Sequence, residues 1–405
     1  MRVAVVGGKL QGIEATYLAH KAGWEVILLD KNSIVPAAGL SDAFYQLDVT
    51  TEDLPGIIKT VNLIIPALED VVALNCLKEK AAKEDIPLAY DARAYAVSSS
   101  KKKSNLLFSE LDIPMPKPWP KCNLPLIIKP SDLSGSKGIR KINKMEDFIT
   151  FVTEANFRIN RWVIQEFLEG PSYSLEVFGF KGNFAVLQVT EIEVDTHYDC
   201  KRVRAPVKLS QKMNKEFKEI AITIAEALNL KGIMDIEVIL HNDTLKVLEI
   251  DARLPSQTPT VVYKSTGINM LEFLYDIFVR GAIPTIPDII YKKEVIYEHI
   301  KVSPGILEVL GEHIMANAGP LKVYEHFFGA DEALTDFVPG CPEWVATLII
   351  TADTHKGVWD RRCKVIENIK DHFGLSSCVD ASVSNNEAVL EFTSKKVERD
   401  DTFIQ

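Results

Sequence analysis

Two short acidic runs are the part of this sequence whose residue types and spacing can do chemistry. Asp235-Ile236-Glu237 is followed by Glu249-Ile250-Asp251-Ala252-Arg253, with twelve positions between the two glutamates. Side chains alternate faces along a strand, so Glu237 shares a face with Asp235, and Glu249 with Asp251 and Arg253. His241-Asn242-Asp243 between the runs are turn formers, so a hairpin gathers several carboxylates beside one guanidinium. Like charges on adjacent strands repel unless a cation sits between them, and carboxylate with phosphate oxygens is the donor set that Mg²⁺ selects. The flanking Ile236, Val238, Ile250 and Leu254 are apolar. A Mg–nucleotide site is the sharper reading and a solvated strand face with a salt bridge the plainer one; both stand at this point.

Three other runs suit the same ligand. Ile127-Ile128-Lys129-Pro130 leads into Ser131-Asp132-Leu133-Ser134-Gly135-Ser136-Lys137-Gly138, a lysine at a strand end beside a loop of small residues whose amides can hold phosphate. It is not GxxxxGK[ST], and a plain surface loop reads equally well. Gln165-Glu166-Phe167-Leu168-Glu169-Gly170 ends a strand, where backbone groups can meet an adenine edge and a carboxylate a ribose, or where the strand merely stops. Gly7-Gly8-Lys9-Leu10-Gln11-Gly12, with Asp30 eighteen residues on, approaches a dinucleotide loop, but Lys9 stands where the second glycine belongs. An NAD(P)-dependent oxidoreductase stays open on that run. His197 between Asp195 and Asp199 reads as a metal group or, more simply, as an acidic loop beside a substrate; Arg202 and Arg204 read as phosphate contacts or as surface charge pairs.

The elements that must position these residues follow from periodicity. Arg2 to Val6, Leu10 to Ala22 and Glu25 to Leu29 form a βαβ unit, and Val61 to Ile65 with the helix Val71 to Lys83 extends it to a small doubly wound parallel sheet. Ser98 to Asp112 reads as one helix stopped by the prolines of 114–120. Strands are expected at Leu126 to Lys129, Trp162 to Phe167, Tyr173 to Phe180, Phe184 to Val194, Arg202 to Val207, Gly232 to Leu240 and Thr244 to Ile250, with helices at Lys144 to Glu154, Asn214 to Leu228 and Asn269 to Arg280. Beyond that only Trp344 to Thr351 and Trp359 to Phe373 stand out, as a strand and a helix. The fold class is α/β, and the organisation is 1–85, 86–275 and a poorly marked 276–405. Trp119, Trp162, Trp344 and Trp359 are assigned to packing.

Composition narrows the partners. With 405 residues, 46 Lys and Arg against 56 Asp and Glu, and a net charge of −10, non-specific attraction to nucleic acid or anionic membrane is disfavoured. No apolar run is long enough to span a membrane. Six cysteines without a CxxC fit reduced thiols in a cytoplasmic protein better than a disulfide framework.

Taken in order, Lys101, Ile128-Lys129-Pro130, the Ser/Gly loop, Gln165 to Gly170, Asp235-Ile236-Glu237 and Glu249 to Pro255 resemble the ATP-grasp superfamily of carboxylate–amine ligases, from the N-terminus to about residue 275. The resemblance implies a small N-terminal Rossmann-like domain followed by an ATP-grasp fold, and ATP with Mg²⁺. It implies ATP-binding roles for Lys101, Lys129, Ser134, Gly135, Ser136, Lys137, Gln165, Glu166, Phe167, Leu168 and Glu169, and metal-ligand roles for Glu237, Glu249 and Asp251. Arg253 and Lys129 are the implied catalytic groups. Glu176, Ser256, Gln257 and Thr258 are expected at the activated amino acid, and Leu10, Gln11, Glu69 and Asp70 at the second. Within the superfamily the likeness is to ligases joining a D-ornithine derivative to L-lysine, with a homodimer expected; other ATP-grasp ligases or carboxylases are the alternative. The loop departs from the usual run of glycines at Ser134, Ser136 and Lys137.

Overall fold

The computed structural model describes residues 1–133, 135–154, 161–286 and 292–382. The N-terminal runs form a four-stranded parallel sheet in the spatial order Ala43–Gln46, Glu25–Asp30, Arg2–Val6 and Leu63–Pro66. Apart from the edge strand Ala43–Gln46, its strands are apolar on both sides because both sides are covered. Val3, Val5 and Leu28 pack on Ile13, Tyr17 and Leu18 of the helix Leu10–Lys21, while Ala4, Ile27 and Ile64 pack on Leu77 and Ala81 of the helix Val71–Lys83. This is the doubly covered sheet that the sequence predicts.

The rest is antiparallel apart from the parallel pairing of Ile306–Val309 with Ser377–Val379. A three-stranded sheet sets Leu126–Pro130 between Arg140–Ile142 and Trp162–Glu166, closed by the helix Met145–Glu154, with Phe151 against Trp162 at 5.0 Å between ring centroids. The large sheet runs Thr244–Asp251, Gly232–His241, Ser172–Phe180, Thr190–Val194, Cys200–Ala205, Glu294–Ser303, Trp344–Ala352, Glu332–Thr335, Lys322–Glu325. Alternation along its strands supplies two cores: Val177 and Met234 face the helix Gln211–Leu228, while Phe178 and Ile233 face the helices Thr258–Thr266 and Met270–Tyr275.

Four expectations change. The strand foreseen from Phe184 to Val194 is two, Asn183–Val186 and Thr190–Val194. The helix foreseen from Ser98 to Asp112 is broken at Ser99-Ser100 into Ala92–Ser98 and Lys101–Glu110. The helix ending at Arg280 passes into a π-turn after Tyr275. A full-length strand, Glu294–Ser303, lies unforeseen in the middle of the large sheet. Its Glu298 is 0% exposed and breaks the apolar pattern that would have marked a buried strand.

Glu298 is tolerated because Arg202 Nε donates to it at 2.6 Å and Arg362 Nε at 2.9 Å. Asp380 accepts from Arg202, Arg362 and Lys201 at 2.6, 3.0 and 2.6 Å, and the Trp359 ring lies 5.3 Å from both guanidinium carbons. Arg204 pairs with Glu191 at 2.9 Å. The phosphate-contact reading of Arg202 and Arg204 is therefore replaced by ion pairing. Burial would raise the Glu298 carboxyl, but the guanidiniums of Arg202 and Arg362 outweigh it and hold it below the usual range. Among the described residues no helix is long and apolar enough to cross a membrane, and all six cysteines are free thiols. Glu298→Ala strands two guanidiniums in the core and is expected to cost about 3–5 kcal/mol of unfolding free energy in urea titrations; a cost below about 1 kcal/mol would show the network to be dispensable.

Candidate active site

Register builds the site. Across three adjacent strands Asp235 stands opposite Glu176 on one side and Asp251 on the other, and in the next row Glu237 stands between Ser174 and Glu249. A bulge after Glu237 sets Val238 opposite Val247, leaving Leu248 as the extra residue and ending the hairpin's regular pairing beside the carboxylates. The period-two reading of the two acidic runs is what the sheet displays.

Cations from three other elements face this cluster. Lys101, the first residue of its helix, places Nζ 2.8 Å from Glu249 Oε1 and donates to the Leu133 carbonyl at 2.8 Å. Lys129, on the small sheet, is 8% exposed. Arg253 Nη2 lies 2.7 Å from Asp251 and 2.6 Å from Glu69, which the parallel sheet supplies. The Ser174 hydroxyl donates to Asp235. Burial, then Asp235 and Glu249, push the Glu237 carboxyl up to about 8. Burial lifts Asp251 to about 7 against the opposing Arg253 and Glu176 to about 7. Burial pulls the Lys129 ammonium down, Glu249 opposing and Lys101 adding to it. Burial is the largest cause of each shift and the neighbouring charges act on top of it, a combination that clusters at functional sites.

The cluster forms one wall of a cavity of about 850 Å³. Glu237, Glu249, Asp251 and Arg253 line it together with Gly135, Ser136 and Lys137 of the loop; Ser134 lies outside the described residues. Leu10, Gln11, Glu69 and Asp70, from the parallel-sheet region, line it as well. Gln11 Nε2 donates to Glu69 at 3.2 Å, whereas Asp70 caps the helix Val71–Lys83 by accepting from the N–H groups of Val72 and Ala73. Ser256, Gln257 and Thr258 also line it.

Other expected residues lie off this wall. Lys101, Lys129 and Glu176 are not among the cavity's lining residues, nor are 165–169, which end the edge strand Trp162–Glu166 of the small sheet and continue beyond it. Gln165 and Leu168 are buried, and Glu166 accepts from Lys246 at 2.6 Å and from the Lys117 N–H at 2.9 Å. The N–H groups of Glu166 and Phe167 donate to the Lys117 and Pro125 carbonyls. The Phe167 ring carries Lys141 Nζ at 3.8 Å from its centroid, and Lys141 also lies 3.5 Å from exposed Glu169.

Sequence reasoning missed Glu312. It lines the cavity and accepts from Ser256 Oγ at 2.8 Å and Gln257 Nε2 at 2.7 Å, while Gln257 Oε1 accepts the Cys200 thiol at 3.2 Å. Ser256 and Gln257 thus aim a carboxylate at the cavity instead of standing free themselves. Burial, then Asp199, raise the Glu312 carboxyl. No motif marks Gly311-Glu312-His313, which reaches the site only because the C-terminal strands belong to the same sheet as the hairpin. Asp235, placed on the right face by period two but not assigned, is the other omission.

Residues 98–257 match the ATP-grasp domain family and residues 3–89 the PylC-like N-terminal domain family. The 3-methyl-D-ornithine–L-lysine ligase of Methanosarcina barkeri is 35% identical over 92% of this chain and 98% of its own, and that of Methanosarcina acetivorans 34% identical over 92% and 99%. Among solved structures, a biotin carboxylase–β,γ-ATP complex from Campylobacter jejuni superposes with a TM-score of 0.67 at 15% identity over 92% of this chain and 96% of that one. An L-amino acid ligase from Bacillus licheniformis gives 0.62 at 15% over 91% and 97%. These two share the fold. With its antiparallel grasp, its parallel N-terminal sheet and near-full-length identity above 30%, the chain belongs to the family of ATP-grasp ligases represented by the 3-methyl-D-ornithine–L-lysine ligases.

Proposed function

We propose that the protein is an ADP-forming ligase that joins the carboxylate of (3R)-3-methyl-D-ornithine to the side-chain amine of L-lysine through an acyl phosphate. The observation that carries the reading is the double row of carboxylates, Asp235 with Asp251 and Glu237 with Glu249, beside Arg253 on the wall of one cavity.

The donor set fits Mg²⁺. Glu237, Glu249 and Asp251 offer hard oxygens, and Asp251 Oδ1 is buried without a hydrogen-bond partner. When bound, the metal neutralises charge on a transferring phosphoryl group. ATP would lie between the hinge, where among the described residues the Leu168 N–H meets no backbone acceptor outside the regular elements, and the loop at Gly135 and Gly138, whose φ values of 61° and 76° favour glycine. Glu169 is the ribose candidate. Lys101 and Lys129 offset phosphate charge, and Lys137 lies exposed on the same loop.

A carboxylate is a poor electrophile, so its activation as an acyl phosphate must precede amide formation. Arg253 retains two buried donors, Nε and Nη1, without partners, which suits them to the oxyanion that develops when the amine attacks. Ser256 and Gln257 hold Glu312 toward the cavity, where it would receive an ammonium group of the diamino acid with Thr258 alongside, while Glu176, 0% exposed and off the cavity lining, would act only through the neighbouring Asp235. Leu10, Gln11, Glu69 and Asp70 would receive L-lysine.

The purified chain, given Mg–ATP, L-lysine and 3-methyl-D-ornithine, is expected to release ADP with a new amide at the lysine side-chain nitrogen, seen by mass spectrometry. ADP that appears without the amide would remove this substrate assignment. Glu249→Ala is expected to fold and to keep under about a tenth of wild-type kcat, a barrier increase above about 1.4 kcal/mol. Glu237→Gln is expected to raise the thermal midpoint when Mg²⁺ and nucleotide are withheld. The Glu237 carboxyl moves from 4.5 to about 8 on folding, so its ionisation opposes folding increasingly as pH rises across that interval, and the variant's advantage grows in step. An advantage that is flat with pH would contradict the like-charge account.

A further inference from the structure

The turn joining Thr190–Val194 to Cys200–Ala205 is fixed more firmly than a hairpin connection requires. Within it, Asp195 Oδ1 accepts the N–H groups of His197 and Asp199 at 2.7 and 3.1 Å. Outward, Asp195 Oδ2 accepts the Gly311 N–H at 3.0 Å, and Asp199 Oδ2 accepts the His313 N–H at 3.0 Å and lies 2.6 Å from its Nδ1. The Glu312 N–H donates to the Cys200 carbonyl at 2.9 Å. Asp195, Asp199 and His313 come close enough to hold a metal ion, yet both Asp195 oxygens and Asp199 Oδ2 already accept from protein donors. That group is accounted for as a bolt between the turn and the segment carrying Glu312.

Tyr198 sits at the tip of this turn with a φ of 65°. Its ring meets Phe167 of the hinge edge to face, 6.2 Å between centroids. Its carbonyl accepts the Ser136 hydroxyl at 2.6 Å. One residue therefore touches both ends of the region assigned to the nucleotide. The loop is tied near its ends by the Lys101 bond to the Leu133 carbonyl and by Gly138 against Pro130, whereas at Gly135 between them a Cβ would meet nothing within 4 Å.

We propose that the 195–199 turn is a brace that positions the phosphate loop through the Ser136–Tyr198 bond and couples it to the amino-acid pocket at Glu312. The proposal rests on the ligase reading above. Tyr198 is a positioning residue here and touches no reacting atom. A diamino acid that orders Glu312 also orders Gly311 and His313, and through Asp195 and Asp199 it fixes the carbonyl on which Ser136 closes. Linkage makes the effect mutual, so a nucleotide under a settled loop favours the amino acid equally. The gain for the enzyme is that the loop settles over ATP when the carboxylate to be phosphorylated is present.

The test is a mutant cycle on the affinity of the full chain for Mg²⁺ with a non-hydrolysable ATP analogue, with and without D-ornithine. Ser136→Ala removes the donor. Gly311→Ala builds a Cβ 2.3 Å from Asp199 Oδ2 and so displaces the turn from a position outside the nucleotide residues. His313→Ala, whose side chain is 54% exposed, loosens the same bolt with less risk to folding. Each variant is expected to weaken the analogue about three- to tenfold, the net worth of one hydrogen bond. Ser136→Ala combined with either partner is expected to be no weaker than the worse single variant, and the gain in analogue affinity that D-ornithine gives the wild type is expected to shrink in all of them. Wild-type affinity in folded Gly311→Ala and His313→Ala, or losses that multiply in the double variants, would overturn the brace. Because these affinities need no turnover, a wild type that forms no amide would remove the ligase reading, while the affinities of the variants would still decide for or against the brace.

Discussion

Carboxylates placed opposite one another on neighbouring strands cannot all be charged unless cations come to them. The register of the large sheet imposes that condition twice, at Asp235 with Asp251 and at Glu237 with Glu249. The rest of the site follows from it. Lys101 arrives from the start of a helix, Lys129 from the small sheet and Arg253 from the end of the hairpin, while Glu69 reaches Arg253 from the parallel sheet. The site therefore exists only where three sheets meet, and a cavity bounded by all of them is the geometric consequence.

The loop that follows the hairpin is held against its own preference. Gln257 has φ 73° and ψ −59°, and the Thr258 N–H donates to the Ser256 carbonyl, a tight three-residue turn that is costly for any side chain. Its amide is clamped between Cys200 and Glu312. Beyond it, Glu14 of the N-terminal helix accepts the Thr260 N–H at 2.5 Å and closes the start of the helix Thr258–Thr266. Burial raises that carboxyl to about 7. On the proposed reading, an anionic group would meet a helix end already occupied by Glu14, whereas an ammonium would meet Glu312 turned toward the cavity.

Legibility in the sequence followed the range of the interaction. The carboxylate rows were readable because period two and a turn at His241-Asn242-Asp243 are local facts, and the parallel sheet because its strands are apolar throughout. The strand Glu294–Ser303 was not readable, since Glu298, His299 and Lys301 break its pattern and the guanidiniums that bury Glu298 come from residues 202 and 362. Glu312 was hidden for the same reason, its partners being 55 and 56 residues away. Ser256 and Gln257 line the cavity, but their hydrogen bonds to Glu312 depend on a tertiary approach that no spacing announces.

The ionic core around Glu298 bears on the site through register. Arg202 is the direct cross-strand partner of Glu298, and Cys200–Ala205 is joined to Glu294–Ser303 along that register. A slip of one residue would turn Glu298 to the opposite face and take from Arg202 and Arg362 a carboxylate they share, leaving Asp380 alone between them. Burying ions adds little net stability compared with apolar packing, but it penalises the wrong alignment heavily. Cys200 opens that strand directly after the turn at Asp199, and its carbonyl receives the Glu312 N–H. Misalignment here would carry Glu312 away from Ser256 and Gln257, so the charges buried far from the cavity set where the cavity's own carboxylate stands.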